Sequence, residues 1–441
     1  MKINVAGAGA GKTTELAAEI IERHKSSPTN KNIYCIAFTN NAVASIEEKL
    51  QSYYGVVPHN IIICTIHSFL YQELIYPYFY LIYGKHYKSI LTIQLPSKIS
   101  YKNKILNELE NKNILHVTKI PERAKWVVFK KSTDKTKEKN ARKAILDTFT
   151  SYCDIIYVDE AQDIDSDMKE VFSVFDNIGI NIVLKGDPKQ DMRGYGCFRE
   201  LISKECNDVT YNATCHRCPE KHLKITNSFV LQEEQQVSEK NGGDMTIVFE
   251  SSCSLSELAL QDFDLKYIYN RNDTFDTHSA KNSPVYFENL LYEVKSVLTQ
   301  VDEEEHVKEI TAYRFTQQMM RWVAEGKSVA AIINPLCKYV GGLTKEQYAR
   351  VCDAISASQP SGTQGIVVNS IESIKGLEGD NCLFILTSDL AAYLFGNKTT
   401  ENKIKNALYV ALTRSLNKLT ILICKEVEDE YGKEKITKFF D

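Results

Sequence analysis

An expected strand, glycine-rich turn and helix near the start of the chain constrain the fold more than any other feature. The stretch reads "VAGAGAGKTTELAAEII" (residues 5–21), in which an apolar run enters a turn that ends in Gly11-Lys12-Thr13. Glycines leave backbone N–H groups free to converge on phosphate oxygens, and the N-terminus of the following helix adds favourable charge. We therefore expect a nucleotide-binding turn, in which Lys12 reaches the β- and γ-phosphates of ATP and Thr13 binds Mg²⁺.

The match to the signature G-x-x-x-x-G-K-[ST] is imperfect, because Ala6 stands where the first glycine is expected. A glycine and alanine turn that binds nothing is the alternative interpretation. The residues expected to contact the nucleotide through this turn are Ala6, Gly7, Ala8, Gly9, Ala10, Gly11, Lys12, Thr13 and Thr14.

Length and composition are those of an ordinary globular chain. Its 441 residues, of which 43% are hydrophobic and 25% charged, suit two to three domains. The start of the chain leaves no room for a signal peptide and no apolar run reaches membrane-spanning length, so we expect a cytoplasmic protein. Most of the twelve cysteines are scattered singly, as reduced core thiols are. Only Cys215-His216-Arg217-Cys218 has metal-ligand spacing, and without a second pair zinc there is the less favoured alternative.

The net charge of −4 excludes a globally basic nucleic-acid binder, but one stretch is strongly basic. Residues 119–143 hold ten lysines and arginines against three acidic residues. A solvated surface explains this stretch as well as a nucleic-acid contact does.

A second motif supplies the acidic partner that a metal-bound nucleotide needs. The segment "DIIYVDEAQDIDSDM" (154–168) begins as an apolar strand and ends in Asp159-Glu160. In P-loop NTPases a carboxylate at this place holds Mg²⁺, and a second one orients or deprotonates the attacking water. We expect these roles for Asp159 and Glu160, although a strand that ends in a solvated acidic loop has the same appearance.

The segment "VDEAQD" resembles motif II of the UvrD/Rep-type helicases of superfamily 1, and other segments resemble the remaining motifs of that family in the same order. They are "AFTNNAV" (37–43), "TIHSF" (65–69), "KGDPKQDMRGYGC" (185–197), "NATCHRCPEKHLKITNSF" (212–229), "SIESIKGLEGD" (370–380) and "ALYVALTRS" (407–415).

The resemblance implies an α/β fold with two RecA-like P-loop domains, in which parallel sheets are flanked by helices. ATP and Mg²⁺ would bind between the domains, and single-stranded DNA would cross their tops. The lysine, threonine and carboxylates named above keep their roles, with Thr13 and Asp159 on the metal. The other matching positions are Gln190 for sensing the γ-phosphate, Arg217 and Arg414 as arginines supplied by the second domain, Glu378 for ribose and His216 for adenine.

The same resemblance implies a set of DNA contacts, although each of these residues alone is also suited to packing or helix capping. An aromatic residue is usual at position 195, and stacking a base on it is worth about 1–3 kcal/mol. The implied contacts are Phe38, Thr39, Asn40, Thr65, His67 and Tyr195.

The sequence departs from the family pattern at several points. A glutamine element that reads adenine is usual some twenty residues before the phosphate-binding turn, and the sequence begins only a few residues before this turn. Arg193 stands where an aromatic residue is common, Glu372 where histidine is usual, and His216 where tyrosine commonly stacks on adenine. These departures leave base selectivity and the path of the strand open.

The chain also has little room for the two large insertions of full UvrD-type helicases. We expect a first RecA-like domain at 1–206, with a reduced 1B-type insertion at about 70–150. We expect a second at 207–441, with a small 2B-type insertion at about 275–365. Such compactness resembles the UvrD-like subunits of Gabija antiphage systems, which implies an ATPase-nuclease protein as partner.

Two functional hypotheses follow. The first is an ATP-dependent translocase or helicase on single-stranded DNA, with 3′→5′ polarity implied by the resemblance only. The second is a regulatory ATPase subunit that senses DNA and nucleotide for a nuclease and unwinds little. A DNA-binding module with an inactive ATPase is disfavoured, since the expected catalytic residues are all present.

Overall fold

In the computed structural model, the described residues are 1–26, 31–96, 98–204, 208–277, 284–358 and 366–440. The boundary expected between residues 206 and 207 lies outside them, so the division into domains at that point stays a prediction. Among the described helices, none has both the length and the apolar character needed to cross a membrane.

The strands are short and mostly apolar. In chain order, those within the described residues are β1 (Lys2–Ala6), β2 (Asn32–Ala37), β3 (Ile61–Thr65), β4 (Ser89–Leu91), β5 (Ile114–His116), β6 (Cys153–Val158), β7 (Asn181–Gly186), β8 (Val209–Asn212), β9 (Thr214–Pro219), β10 (Val237–Lys240), β11 (Asp244–Phe249), β12 (Leu265–Ile268), β13 (Phe275–Thr277), β14 (Ile366–Ser370), β15 (Gly379–Leu386) and β16 (Ser415–Ile423).

The helices connect these strands and cover the sheets. In the same order they are α1 (Lys12–Ser26), α2 (Asn40–Tyr54), α3 (Ile66–Phe69), α4 (Tyr76–Tyr83), α5 (Ile99–Asn111), α6 (Ile120–Val128), α7 (Thr136–Tyr152), α8 (Ser166–Asn177), α9 (Cys197–Lys204), α10 (Glu220–Asn227), α11 (Leu255–Leu260), α12 (Pro284–Leu298), α13 (Glu305–Ala324), α14 (Val329–Tyr339), α15 (Lys345–Ser358), α16 (Ser388–Leu394), α17 (Lys403–Leu412), α18 (Lys425–Tyr431) and α19 (Lys433–Phe440).

The first sheet is parallel, with strand order β3-β2-β6-β7-β1-β8. Its central strands are nearly continuous apolar runs, as strands buried on both faces are. Strands β1 and β6 are separated by β7 alone, so the segments after their carboxyl ends emerge at the same edge. Ligands of open parallel sheets bind outside that edge.

The second sheet is also parallel, with strand order β11-β16-β15-β12-β14-β13. Its core is built from β12, β15 and β16 together with the buried faces of α16 and α17. The predicted α/β class with two parallel sheets flanked by helices is therefore confirmed. Strand β9 lies outside both sheets and pairs in parallel with β10.

The chain forms two compact units, and both six-stranded sheets belong to the first, which comprises 1–86, 119–277 and 366–441. The second unit combines 87–118 with 278–365. Within it, the Thr92 hydroxyl donates to Glu288 over 2.7 Å, and Lys104 pairs with Glu346. Segments that the sequence places in two separate insertions thus pack together here, while residues 70–86 and 119–150 belong to the unit that holds the sheets.

Candidate functional site

The glycine-rich turn follows β1 and leads into α1, as the sequence predicts. Gly9 and Gly11 have φ angles of 68° and 76°, in the left-handed region that favours glycine. The Lys12 ammonium donates to the carbonyls of Ala6 and Gly7 over 3.1 and 3.2 Å, so it lies across the inside of its own turn. The N-terminus of α1 and this ammonium both favour an anion, so the turn fits the expected phosphate, and its contacts with nucleotide stay a prediction.

The two predicted carboxylates follow β6 and lie next to this turn. The Thr13 hydroxyl donates to Asp159 Oδ2 over 3.3 Å, and Asp159 is almost completely buried. Burial and the charge of Glu160 together raise the pKa of Asp159 to about 6, against the opposing charge of Lys12. A hydroxyl and a buried carboxylate at this distance are hard oxygen donors of the kind that Mg²⁺ prefers, so the residues fit the expected ion.

Glu160 is held in an unusual backbone conformation beside Asp159. Its φ angle of 55° is uncommon for a residue other than glycine, and its carboxylate accepts from the Gln162 amide. Burial acts to raise the pKa of Glu160, but the charges of Lys12 and Lys375 outweigh it and hold the pKa below its ordinary value. Glu160 is therefore ionised at neutral pH and able to accept a hydrogen bond from a water molecule.

A third carboxylate, which the sequence analysis missed, completes this edge of the sheet. Asp187 follows β7, is fully buried and accepts from the Gln190 amide over 3.0 Å. Burial acts to raise its pKa, but the charges of Lys189 and Lys12 make the net shift downward. Gln190 thus lies against the carboxylate cluster. The signal was present in "LKGDPKQ", where an apolar strand ends in aspartate as β6 does.

Strand β9, from the second half of the chain, lies directly on the glycine-rich turn. The His216 N–H donates to the Gly9 carbonyl over 2.9 Å, and a methyl group placed on Gly9 would overlap Arg217 Cβ. The Arg217 guanidinium pairs with Glu378 at 2.6 Å. The arginine and the glutamate that the resemblance assigns to phosphate and to ribose therefore lie together beside the turn.

His216 and the two cysteines next to it have partners of their own. The exposed imidazole of His216 lies 2.6 Å from a Glu239 carboxylate oxygen and near Gly11. Cys215 Sγ lies 3.1 Å from the Ala8 carbonyl, and hydrogen bonding by Cys218 lowers the pKa of Cys215 to about 6. Both thiols are buried, and the described residues contain no cluster of three or more potential metal-ligating side chains.

Arg414 does not reach the turn in this structure. It is fully buried, and its guanidinium donates to the carbonyls of Val410 and Leu377 over 2.9 and 3.2 Å and to the Thr413 hydroxyl over 3.2 Å. Burial, with the charge of Arg217, lowers its pKa. These contacts fix the loop between α17 and β16, and a role for Arg414 at the transferring phosphoryl group stays a prediction.

The residues expected on the DNA lie after the carboxyl ends of neighbouring strands. Ala37 at the end of β2 is in register with Thr65 at the end of β3. Thr39 caps α2 by accepting from the Ala42 N–H, and Thr65 caps α3 by accepting from the Ser68 N–H, both over 3.2 Å. Both threonines thus cap helices, which is the interpretation that the sequence offered beside DNA contact. Phe38 is half-buried and Asn40 is exposed at the same edge.

Tyr195 is presented on a rigid loop. The Asp191 carboxylate accepts from the N–H groups of Gly194 and Gly196 over 2.7 and 2.8 Å, and the tyrosine between them is 41% exposed. Burial acts to lower the pKa of Arg193, but the interaction with Tyr195 outweighs it, so the net shift is upward. Burial lowers the pKa of His67, and the charge of the same arginine lowers it further. Arg193 therefore links these two candidate DNA contacts.

The basic stretch at 119–143 is only partly available to a ligand. Lys119, Lys125 and Arg142 form ion pairs with Glu122, Asp167 and Asp134, while Arg123 and Lys131 each lie 4.0 Å from the centre of the Trp126 ring. Five lysines remain on the surface, namely Lys130, Lys135, Lys137, Lys139 and Lys143.

Comparison with known proteins gives these sites a family context. A family model described as an AAA domain matches residues 1–195, and one described as a viral superfamily 1 RNA helicase core domain matches residues 102–299. Gabija protein GajB of Bacillus cereus (strain VD045) is 29% identical over 273 residues, which are 60% of this chain and 53% of GajB. The chain resembles the UvrD-like helicases of superfamily 1. It spans about half the length of GajB.

Two solved helicase structures also match the chain. They are the PRRSV helicase, with a TM-score of 0.35, and Arterivirus nonstructural protein 10 in complex with DNA, with a TM-score of 0.38. Each is 10% identical to this chain; the alignments cover 96% and 95% of it and 52% and 59% of the viral proteins.

The sites expected for a UvrD-like helicase are thus brought together to different degrees. Lys12, Thr13, Asp159 and Glu160 form one cluster, with Gln190 beside it through Asp187. Arg217 and Glu378 lie against the same turn, whereas Arg414 is occupied elsewhere. Sequence reasoning also missed two residues that contact the turn from the second half of the chain, Gln236 and Tyr409.

Proposed function

We propose that this chain is an ATP-hydrolysing translocase or helicase that acts on single-stranded DNA. The observation that carries the proposal is the 3.3 Å contact between Thr13 and the buried Asp159, with Lys12 inside the same turn. A phosphate-binding turn and a metal-binding carboxylate are the two parts that phosphoryl transfer to water requires. Since ATP and DNA are both available in the cytoplasm, we place its action there.

The arrangement explains how the chain's own groups would act on ATP. Mg²⁺, when bound, would neutralise charge on the β- and γ-phosphates, held by Thr13 and Asp159. Lys12 would leave the carbonyls of its own turn for the phosphates. Its charge would then be shared with phosphate oxygens, while Lys375 and the bound cation would keep Glu160 ionised. The ionised Glu160 would orient the attacking water and accept a proton from it.

The test uses two substitutions with different expected results. Lys12→Ala removes a phosphate contact and should weaken nucleotide binding and abolish hydrolysis. Glu160→Gln keeps the size of the side chain and should bind ATP normally but lose DNA-stimulated hydrolysis. Glu48→Gln, on the exposed face of α2, is the matched control. Wild-type turnover in Glu160→Gln would remove this glutamate from the mechanism.

A second candidate function is favoured by the similarity to GajB. In it, the chain is the DNA- and nucleotide-sensing subunit of a Gabija-type antiphage complex, and an ATPase-nuclease protein is its partner. The DNA and the 3′→5′ polarity of the first candidate and the partner of the second are all proposals, because the chain spans only about half of GajB.

Strand displacement separates the two candidates. The sheet-bearing unit holds the ATP-binding turn and the candidate DNA contacts, so hydrolysis should be stimulated by single-stranded DNA without a partner. Separating a duplex requires a second surface that binds the duplex, and the five exposed lysines of the basic stretch at 119–143 form only a small one. We expect strong DNA-stimulated ATPase and poor unwinding by the chain alone, with unwinding and co-elution gained on mixing with the nuclease. Efficient, processive unwinding by the chain alone, without association, would favour an autonomous helicase.

A further inference from the structure

The peptide groups on either side of Ala8 are held by a closed ring of hydrogen bonds. The Ala8 N–H donates to the Tyr409 hydroxyl over 3.0 Å, and that hydroxyl donates to Gln236 Oε1 over 2.7 Å. The amide nitrogen of Gln236 then donates back to the Ala8 carbonyl over 3.1 Å. All three residues are buried, so no water competes for these groups.

This ring fixes a part of the turn that would otherwise be free to change shape. Gly9 follows Ala8 with a φ angle of 68°, and glycine adopts such values and their opposites with similar ease. A peptide is planar and trans, so its C=O and N–H point in opposite directions. Holding the Ala8 carbonyl toward Gln236 therefore also holds the Gly9 N–H toward the other side.

Helix α17, which contains Tyr409, is also contacted by the Arg414 side chain. Tyr409 lies near the end of α17, and Arg414 follows it and donates to the Val410 carbonyl over 2.9 Å. Gln236 directly precedes β10, and its backbone N–H and C=O both bond to the Asn227 side chain. The shape of the turn therefore depends on elements more than 200 residues away in sequence.

We infer that Tyr409 and Gln236 are positioning residues for nucleotide binding, which hold the turn around Ala8 in its phosphate-binding shape. The inference rests on the proposed ATPase function. It assigns no contact between either side chain and the nucleotide. If the ring were broken, only a fraction of molecules would hold the competent shape, and apparent affinity would fall by that fraction. Saturating nucleotide would restore the shape, so turnover at saturation would change little.

The main test is Tyr409→Phe, which removes the hydroxyl group and so breaks the ring of hydrogen bonds, but keeps the aromatic side chain. It leaves a buried N–H unpaired, so we expect the Kd for both ATP and ADP to rise about 5- to 20-fold. The kcat at saturating ATP should change less than about 3-fold. Tyr267→Phe is the matched control, because Tyr267 is equally buried and its hydroxyl donates to the Ala411 carbonyl of α17 over 2.7 Å.

A second variant keeps the test valid if Tyr409→Phe folds poorly. Gln236→Met has a similar length but breaks two of the three hydrogen bonds, those to the Tyr409 hydroxyl and to the Ala8 carbonyl, and it should raise the two Kd values by a similar factor. The Kd of the double variant for nucleotide should be about that of the weaker-binding single variant, because both substitutions break the same ring of hydrogen bonds. Affinities equal to those of Tyr267→Phe, or effects that multiply in the double variant, would overturn the inference. Failure of the wild type itself to bind nucleotide more tightly than Lys12→Ala would instead reject the proposed function.

Discussion

Replacing Gly9 with alanine tests how closely the second half of the chain lies on the glycine-rich turn. The left-handed φ of 68° costs alanine about 1–2 kcal/mol. The added methyl group would also overlap Arg217 Cβ and lie 3.1 Å from the Arg217 nitrogen. This part of β9 cannot retreat without losing the His216 N–H bond to Gly9, so we add about 1–3 kcal/mol for overpacking.

Gly11→Ala is the matched control, because it adds the same strain without the overlap. Its φ is 76°, and the nearest atom to an added methyl group is His216 Cδ2 at 3.7 Å. Unfolding entropy is about 2 cal/mol/K per residue, so 1 kcal/mol shifts the Tm of a chain this size by about 1–2 °C. Thermal unfolding without nucleotide should therefore place Gly9→Ala about 1–6 °C below Gly11→Ala. Equal Tm values would show that β9 does not press on the turn in solution.

Three further predictions concern the second half of the site and the DNA surface. Arg217→Ala should bind nucleotide but lose about 10³-fold in turnover, as removal of an arginine finger does. Arg414→Ala should show the same loss and should also lower the Tm, because it removes three buried hydrogen bonds. Tyr195→Ala should weaken binding of single-stranded DNA by about 1–3 kcal/mol at fixed salt, and Tyr195→Phe should bind like wild type. Arg193→Ala should raise the pKa of His67 in an NMR titration. Because the pKa of His67 is lower in the folded state than in the unfolded state, the free energy of unfolding decreases as the pH drops below about 6.5. This decrease should be smaller in Arg193→Ala than in the wild type. An unchanged His67 pKa would show that Arg193 does not face it.

The features that the sequence predicted well are local. The strand, turn and helix around Lys12 and the apolar strand before Asp159 each follow from a short stretch of residues, and the structure has them. The parallel sheets were implied by the resemblance to UvrD/Rep-type helicases, and the apolar runs are consistent with them, because strands covered on both faces do not alternate. The likeness to UvrD-like helicases, based on motif order, is confirmed by sequence comparison.

The features that it could not predict depend on distant contacts. Nothing near Gln236 or Tyr409 indicates that these side chains meet Ala8, since they are 228 and 401 residues away from it. The count of positive charges at 119–143 could not show that Arg142 is buried on Asp134, because charge composition does not reveal ion pairing. Likewise, two insertions that are far apart in sequence gave no sign that 87–118 and 278–365 form one unit.

The imperfect turn motif has a physical explanation in these distant contacts. Ala6 is still within β1, paired with Asn212 of β8, so this position needs no conformational freedom and alanine is tolerated. Gly7 has no positive φ, but a methyl group there would overlap the amide of Gln236. The chain's second half therefore restricts Gly9 through the backbone of β9, and Gly7 through the end of the Gln236 side chain. In the proposed function, a turn shaped in this way by Gln236 and β9 would couple nucleotide binding to the position of the chain's second half, and a translocating ATPase needs such coupling.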